Sequence, residues 1–188
     1  MVMPLEFVID QPSATTDYRF VPVPTRWGLL GLVCRETIVC RLMFGFYHSR
    51  IKTLLVRQYP GLREGATLLP ELVGALHDYF EGEPVSFEGR IDLSWASSFQ
   101  RSVLTACSRI KPGQTRTYGE LAHIIGRPRA ARAVGLALAA NRVPLIIPCH
   151  RVIAAGGGLG GFSAEGGLLL KQRLLTLERP VNKTSECI

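Results

Sequence analysis

Cys149, His150 and Arg151 follow one another inside a stretch that is otherwise apolar from Val143 to Ile153. A thiol, an imidazole and a guanidinium are costly in such surroundings unless each finds a partner. A cysteine reacts as the thiolate, and a free thiol is mostly protonated at neutral pH. A neighbouring histidine can take the proton and nearby positive charge can hold the anion. Pro148 fixes the backbone and removes a donor just before the thiol. The segment therefore reads as a strand ending in a turn that presents one activated sulfur. For the Cys-His dipeptide alone, a buried structural cysteine beside a surface His-Arg pair would be the plainer reading, so the flanking sequence has to decide.

The 188 residues suffice for one large domain or two small ones packed together. Hydrophobic residues make up 47% and charged ones 20%, which describes a globular chain and excludes a disordered one. The net charge of +7 is uneven: residues 97–178 carry eleven Lys and Arg against Glu120, Glu165 and Glu178, whereas residues 1–96 carry nine against eleven acids. The basic surplus thus sits on the half that holds Cys149, and a polyanion such as nucleic acid is the natural partner. Five cysteines at irregular spacing (Cys34, Cys40, Cys107, Cys149, Cys187) make a poor disulfide framework and suit a reducing compartment. No CxxC pair or zinc-finger quartet is present, and no metal or other cofactor is expected. The N-terminus lacks signal-peptide character, and no run of about 18 uncharged apolar residues could span a membrane. A cytoplasmic or other intracellular location, on the nucleoid or in a nucleus, is expected, with no membrane partner.

Tyr18 to Phe46 is rich in Val, Leu, Ile and Phe and is punctuated by Pro22, Pro24, Gly28 and Gly31, which predicts two or three antiparallel strands. Helices are predicted over Ser49–Tyr59 and Leu68–Glu81, the second with Leu69, Leu72, Val73, Leu76, Tyr79 and Phe80 on one face and ended by Gly82-Glu83-Pro84. Residues 84–96 read as a connection. Ser97 or Ser98 caps a helix to about Ile110, and Thr117 caps a short one with Glu120 closing a capping box. A helix from near Pro128 to Ala140 follows a Gly-containing turn, so the pair resembles a helix-turn-helix. The glycines at 156–158 and 160–161 predict a mobile loop, and a last helix spans Gly166 to Leu177. The expected architecture is α+β: a small N-terminal antiparallel sheet with helices (residues 1–92), a mainly helical, winged-helix-like DNA-binding unit (93–179) and a tail (180–188).

The motifs around the cysteine occur in a specific order: Thr117-Tyr118-Gly119-Glu120, Arg129-Ala130-Ala131-Arg132-Ala133-Val134-Gly135, Asn141 with Pro144, Pro148-Cys149-His150-Arg151-Val152, Gly160-Gly161-Phe162-Ser163, and Lys171 to Glu178. This set resembles the O6-alkylguanine-DNA alkyltransferases, the methylated-DNA–protein-cysteine methyltransferases, over roughly Ser98 to Glu178. The first half resembles them only in size and in its strand-then-helix pattern.

The resemblance implies a repair protein, monomeric and without cofactor, that acts on double-stranded DNA containing O6-alkylguanine. It would flip O6-methylguanine, and also O4-alkylthymine, out of the duplex and move the alkyl group irreversibly to Cys149. It implies catalytic roles for Cys149, His150, Glu178 and Tyr118, with a relay from Glu178 through His150 and a water to Cys149. Losing either relay member should then raise the effective pKa of the thiol. Arg132 would fill the gap left by the flipped base, with Arg129, Ala133, Gly135, Arg151 and Thr117 also against DNA. Tyr118, Val152, Phe162, Ser163, Asn141 and Pro144 would form the substrate pocket, Ser163 donating to O6 through its hydroxyl or its backbone N–H. A helix-turn-helix by itself would place its second helix in the major groove, whereas the resemblance implies minor-groove docking, which the small residues of that helix suit. Ala164 and Glu165 lengthen the loop after Ser163 relative to some members and bear on which alkyl groups fit.

Two other classes use parts of the same pattern. A lesion-binding protein of this kind without catalysis would carry another residue in place of Cys149. A cysteine hydrolase would need an oxyanion hole and a distant histidine, and His48, His77 and His123 stand in no such motif.

Overall fold

The computed structural model describes residues 5–13, 16–45, 48–65 and 68–179; the side chains of residues 45 and 48–52, the expected tail at 180–188 and Cys187 lie outside what is described. In chain order the elements are strands β1 (Glu6–Val8), β2 (Tyr18–Thr25), β3 (Gly28–Arg35) and β4 (Ile38–Gly45), helix α1 (His48–Gln58), β5 (Arg63–Glu64), α2 (Pro70–Glu81), β6 (Arg90–Asp92), α3 (Ser98–Ser108), β7 (Arg116–Thr117), α4 (Tyr118–Ile124), α5 (Ala131–Ala139), β8 (Val152–Ile153) and α6 (Gly167–Leu177).

The first sheet runs β1-β6-β4-β3-β2-β5. Its centre is the expected antiparallel meander, β2 against β3 from Tyr18↔Arg35 to Thr25↔Gly28 and β3 against β4. Its edges are parallel additions that the sequence did not announce: β6 pairs with both β1 and β4, and β5 with β2. These edge strands have two or three residues each, too few to display a period-2 pattern. Helix α2 begins two residues later than expected because Pro70 follows Leu69, which is held at φ 57° outside the helix; a residue before proline is pushed out of the right-handed helical region.

One apolar cluster runs through both halves of the chain, from Val21, Leu30 and Leu32 of the sheet through Leu76 and Phe80 of α2 to Leu104, Leu121, Val134, Ile147 and Leu174. The expected boundary after residue 92 falls at the end of β6, and the core crosses it. Polar joints cross it too. The Leu42 N–H donates to the Arg142 carbonyl at 2.8 Å, and the Arg173 guanidinium sits 4.2 Å from the Trp27 ring centre. Helices α4 and α5 are joined by a turn at Gly126 (φ 70°). Helix α5 starts at Ala131, not near Pro128: Ala130 precedes it without a side-chain cap, and the Ala130 N–H turns back to the Arg127 carbonyl.

Candidate active site and DNA-facing surface

Cys149 owes its position to a sequence of tight turns. Contrary to the strand expected there, residues 143–148 form no strand beyond a single Pro144↔Ile147 bridge. Pro148 sits at φ −80°, ψ 63° and the Cys149 N–H donates to the Ile147 carbonyl at 2.8 Å, the geometry of an inverse γ-turn. Proline's fixed φ suits that turn. Cys149–Arg151 then make one 3₁₀ turn before β8. The parallel pairing of β8 with β7, Arg116↔Val152 and Thr117↔Ile153, brings the start of α4 beside the thiol. Thr117 caps α4 as expected: its Oγ1 accepts from the Glu120 N–H at 3.1 Å and the Glu120 carboxylate accepts from the Thr117 N–H at 2.6 Å.

Asn141 ties the end of α5 to this turn. Its Nδ2 donates to the Ile147 carbonyl at 2.9 Å and lies 3.2 Å from Cys149 Sγ, and its Oδ1 accepts from the Val143 N–H at 3.0 Å. The thiol itself is buried. Burial raises its pKa, against the opposing effects of Asn141 and the Lys171 ammonium.

His150 is fully buried, and its Nε2 lies 2.8 Å from Glu178 Oε1. The carboxylate fixes the tautomer with the proton on Nε2, leaving the Nδ1 lone pair free to accept; Nδ1 is buried and has no hydrogen-bond partner within the protein. Burial lowers the pKa of His150 although Glu178 opposes it, so the ring is a neutral base. Glu178 is itself held by more than the histidine. Arg151 grips it with two bonds, Nε to Oε2 at 2.8 Å and Nη2 to Oε1 at 2.7 Å, and Tyr79 Oη donates to Oε1 at 2.8 Å. Burial would push this carboxyl up, but the donors from His150 and Arg151 outweigh it and bring the pKa down to about 2.

Two expectations are corrected here. Arg151 does not face DNA: it is buried, spent on Glu178 and on the Ile110 carbonyl, because a guanidinium beside a buried carboxylate satisfies both charges at once. Tyr79, counted in sequence only as part of the apolar face of α2, supplies a hydroxyl to the same carboxylate.

Lys171 is the second residue that sequence reasoning left without a role. It is fully buried in α6, and its Nζ donates to the Val152 carbonyl at 2.6 Å and the Gly161 carbonyl at 3.2 Å. A lysine at helical spacing among Leu168, Leu169 and Leu170 gives no sign of burial; only the convergence of two loops around it does. Replacing Lys171 by methionine should strip the Val152 carbonyl of its lysine donor, leave the Gly161 carbonyl only the long Tyr118 contact, and cost about 1–3 kcal/mol in urea unfolding, with loss of order in the 158–163 loop. A stability unchanged within about 0.3 kcal/mol would show the bonds to be dispensable.

That loop is not free, as the glycines led us to expect. The Ala154 N–H donates to the Gly158 carbonyl at 2.7 Å, and Gly161 receives both Lys171 and the Tyr118 hydroxyl, the latter at 3.4 Å. Gly160 has φ +69°, and a Cβ there would meet Tyr118 Oη at 2.7 Å, so only glycine lets the loop lie across the tyrosine.

Cys149 opens into a mostly apolar cavity of about 670 Å³ walled by Tyr118, Gly135, Ala139, Phe162 and Ser163, with Arg132 at its rim. Gly135 faces the Tyr118 ring, 3.7 Å from where a Cβ would be, and so belongs to the cavity wall. Ser163 Oγ donates to the Ala139 carbonyl at 2.8 Å, so its hydroxyl proton is already engaged within the protein. Asn141 and Pro144 line a second cavity, of about 300 Å³, that Cys149 also reaches. Val152 lines neither; it is buried with its carbonyl bonded to Lys171, so the expected pocket role is not met. Arg129, Arg132 and Ala133 are exposed on the outer side of α5 and its approach. Cys34, Cys40 and Cys107 are buried free thiols like Cys149, and burial raises the first two to about 11 and about 12.

Fold and site together describe a protein with one buried nucleophilic thiol, a carboxylate-fixed imidazole beside it, and a short exposed helix at the mouth of the cavity. Residues 98–180 match the 6-O-methylguanine DNA methyltransferase, DNA binding domain family. The chain is 42% identical over 167 residues to a methylated-DNA–protein-cysteine methyltransferase of Mycolicibacterium paratuberculosis, covering 87% of this chain and 92% of that one. Its fold is similar to that of the Mycobacterium tuberculosis O6-methylguanine methyltransferase, with a TM-score of 0.72 at 34% identity, covering 86% of this chain and 93% of that one. It is equally similar to Mycobacterium tuberculosis OGT solved in complex with DNA, with a TM-score of 0.72 at 37% identity and coverage of 87% and 92%. The chain belongs to the methylated-DNA–protein-cysteine methyltransferase family.

Proposed function

We propose that this protein repairs O6-alkylguanine in double-stranded DNA by transferring the alkyl group to Cys149 in one irreversible reaction. The observation that carries this reading is the hydrogen-bonded order Glu178–His150 beside a buried thiol that faces a cavity roomy enough for a base, bordered by α5. A base inside a duplex cannot reach such a thiol, so it must leave the stack. Arg132, which borders the cavity, then fills the space it vacates. His150 Nδ1 takes the thiol proton through a water. The sulfur attacks the alkyl carbon, a new C–S bond forms, and the C–O6 bond breaks with its electron pair going to guanine. The Tyr118 hydroxyl and the Ser163 N–H stabilise the charge that develops on the leaving base. A thioether has no ready leaving group, so each molecule acts once. No helix among the described residues is long and apolar enough to cross a membrane.

Intact mass after incubation with duplex carrying O6-methylguanine should show one added methyl group, located on Cys149 by peptide mapping. An unchanged mass with retained DNA binding would make the protein a lesion binder and reject the reading. Arg132→Ala should slow transfer from duplex about tenfold or more while changing transfer from free O6-benzylguanine less than about twofold, because the finger acts on extrusion and not on chemistry. Equal losses on both substrates would remove that role. Duplex affinity should fall about tenfold or more between 50 and 200 mM salt; an affinity flat over that range would exclude a phosphate-driven complex.

A further inference from the structure

Leu136 is 75% exposed, the most exposed of the large hydrophobic side chains among the described residues. A lone surface leucine needs no explanation; its position does. It lies one helical turn beyond Arg132, and Arg132, Leu136 and Ala139 fall within about 60° of one another around α5. Arg132 and Ala139 both border the cavity that Cys149 opens into, and Leu136 stands exposed on the turn of α5 between those two residues. The exposed positions of α5 are Arg132, Ala133, Leu136 and Ala139, so beyond Arg132 this face carries no charge and no hydrogen-bonding side chain.

We propose that Leu136 is an apolar docking residue for duplex DNA, seated against the C–H surface of the deoxyribose rings that wall the groove, next to the nucleotide being extruded. The inference rests on the DNA-repair reading above and adds the residue that supplies non-ionic affinity at the helix. A leucine cannot hydrogen-bond to base edges or phosphates, so the contact is sequence-tolerant and releases no counterions.

The test measures duplex affinity against salt for Leu136→Ala. Removing part of a buried leucine should weaken binding about three- to tenfold at every salt concentration, with the slope of log affinity against log salt unchanged. Arg129→Ala, by contrast, should reduce that slope by about one if Arg129 meets a phosphate. The rate with free O6-benzylguanine should be unaffected by Leu136→Ala, and Leu136→Met, which keeps the apolar bulk, should restore most of the affinity. An affinity that is unchanged or improved in Leu136→Ala overturns the proposal, as does an equal loss on the free base, which would make Leu136 structural. A loss that disappears when uracil replaces thymine would place the leucine on thymine methyl groups and overturn the sugar contact. Wild-type protein that neither binds duplex nor transfers an alkyl group from it would reject the repair reading itself, an outcome distinct from all of these.

Discussion

Cys149→Ala is expected to abolish alkyl transfer, leaving no mass gain after prolonged incubation with O6-methylguanine duplex, while duplex affinity changes less than about threefold. The nucleophile and the DNA-facing surface are different parts of the molecule. Cys149 is 7% exposed and lies at the floor of the cavity, whereas Arg129, Arg132 and Ala133 are on the outside. The fold should tolerate the change, because Asn141 keeps its bonds to the Ile147 carbonyl and the Val143 N–H when the sulfur is gone. Stability should move by no more than about 1–2 kcal/mol. Fluorescence anisotropy with labelled duplex and intact-mass measurement together decide the matter. Residual methyl transfer by Cys149→Ala would place the acceptor elsewhere. The three other buried thiols among the described residues provide the control: replacing Cys34, Cys40 or Cys107, all pushed up by burial, should leave transfer intact.

Glu178→Gln should have the second-largest effect, and it should appear in both stability and rate. The glutamate accepts four hydrogen bonds, from Tyr79, His150 and twice from Arg151. Its side chain is 3% exposed, against 6% for Arg151. Removing one charge of a buried pair strands the other and costs about 3–5 kcal/mol, so chemical unfolding should show a loss of that size. Because the carboxyl falls from 4.5 to about 2 on folding, its contribution is fully present above pH 4.5. It is lost as the pH falls through about 2. The wild-type protein should therefore lose stability over that interval, and Glu178→Gln should show a flatter profile there. His150, whose pKa burial lowers, adds a loss in the same direction as the pH drops below its unfolded value. In transfer assays on the folded variant, the rate should fall at neutral pH and recover in part as the pH rises, because hydroxide can replace the imidazole as base. A folded Glu178→Gln protein with wild-type stability and an unchanged pH–rate profile would leave His150 without a partner in the proposed relay.

The antiparallel meander, α2, the cap at Ser97 or Ser98, the capping box at Thr117 and the last helix were legible because each is a local pattern: alternation bounded by turns, an apolar face at helical spacing, a hydroxyl three residues before Glu120. The parallel edge strands were not, since two or three residues carry no period of their own and pair only when the sheet is already there. The same division runs through the site. Cys149, His150, Glu178, Tyr118 and Asn141 could be picked out as chemically able groups in a recognisable order. The partners of Arg151 could not. The resemblance set Arg151 against DNA, and only the fold shows it buried against Glu178, 27 residues away.

By itself, the amino-acid sequence determined which groups are available for chemistry, the tight turn that Pro148 imposes before the thiol, and the concentration of positive charge on the half that carries it. Those are properties of residue types and their immediate neighbours. Tertiary structure alone decided that burial raises the pKa of Cys149 and that Lys171 is buried to hold the Val152 and Gly161 carbonyls. It also decided that the Ser163 hydroxyl is spent on Ala139, and that Tyr79 reaches across from the N-terminal half to Glu178, 99 residues on. Each of these depends on desolvation and on hydrogen-bond partners brought from distant parts of the chain, and neither exists until the core has closed around them.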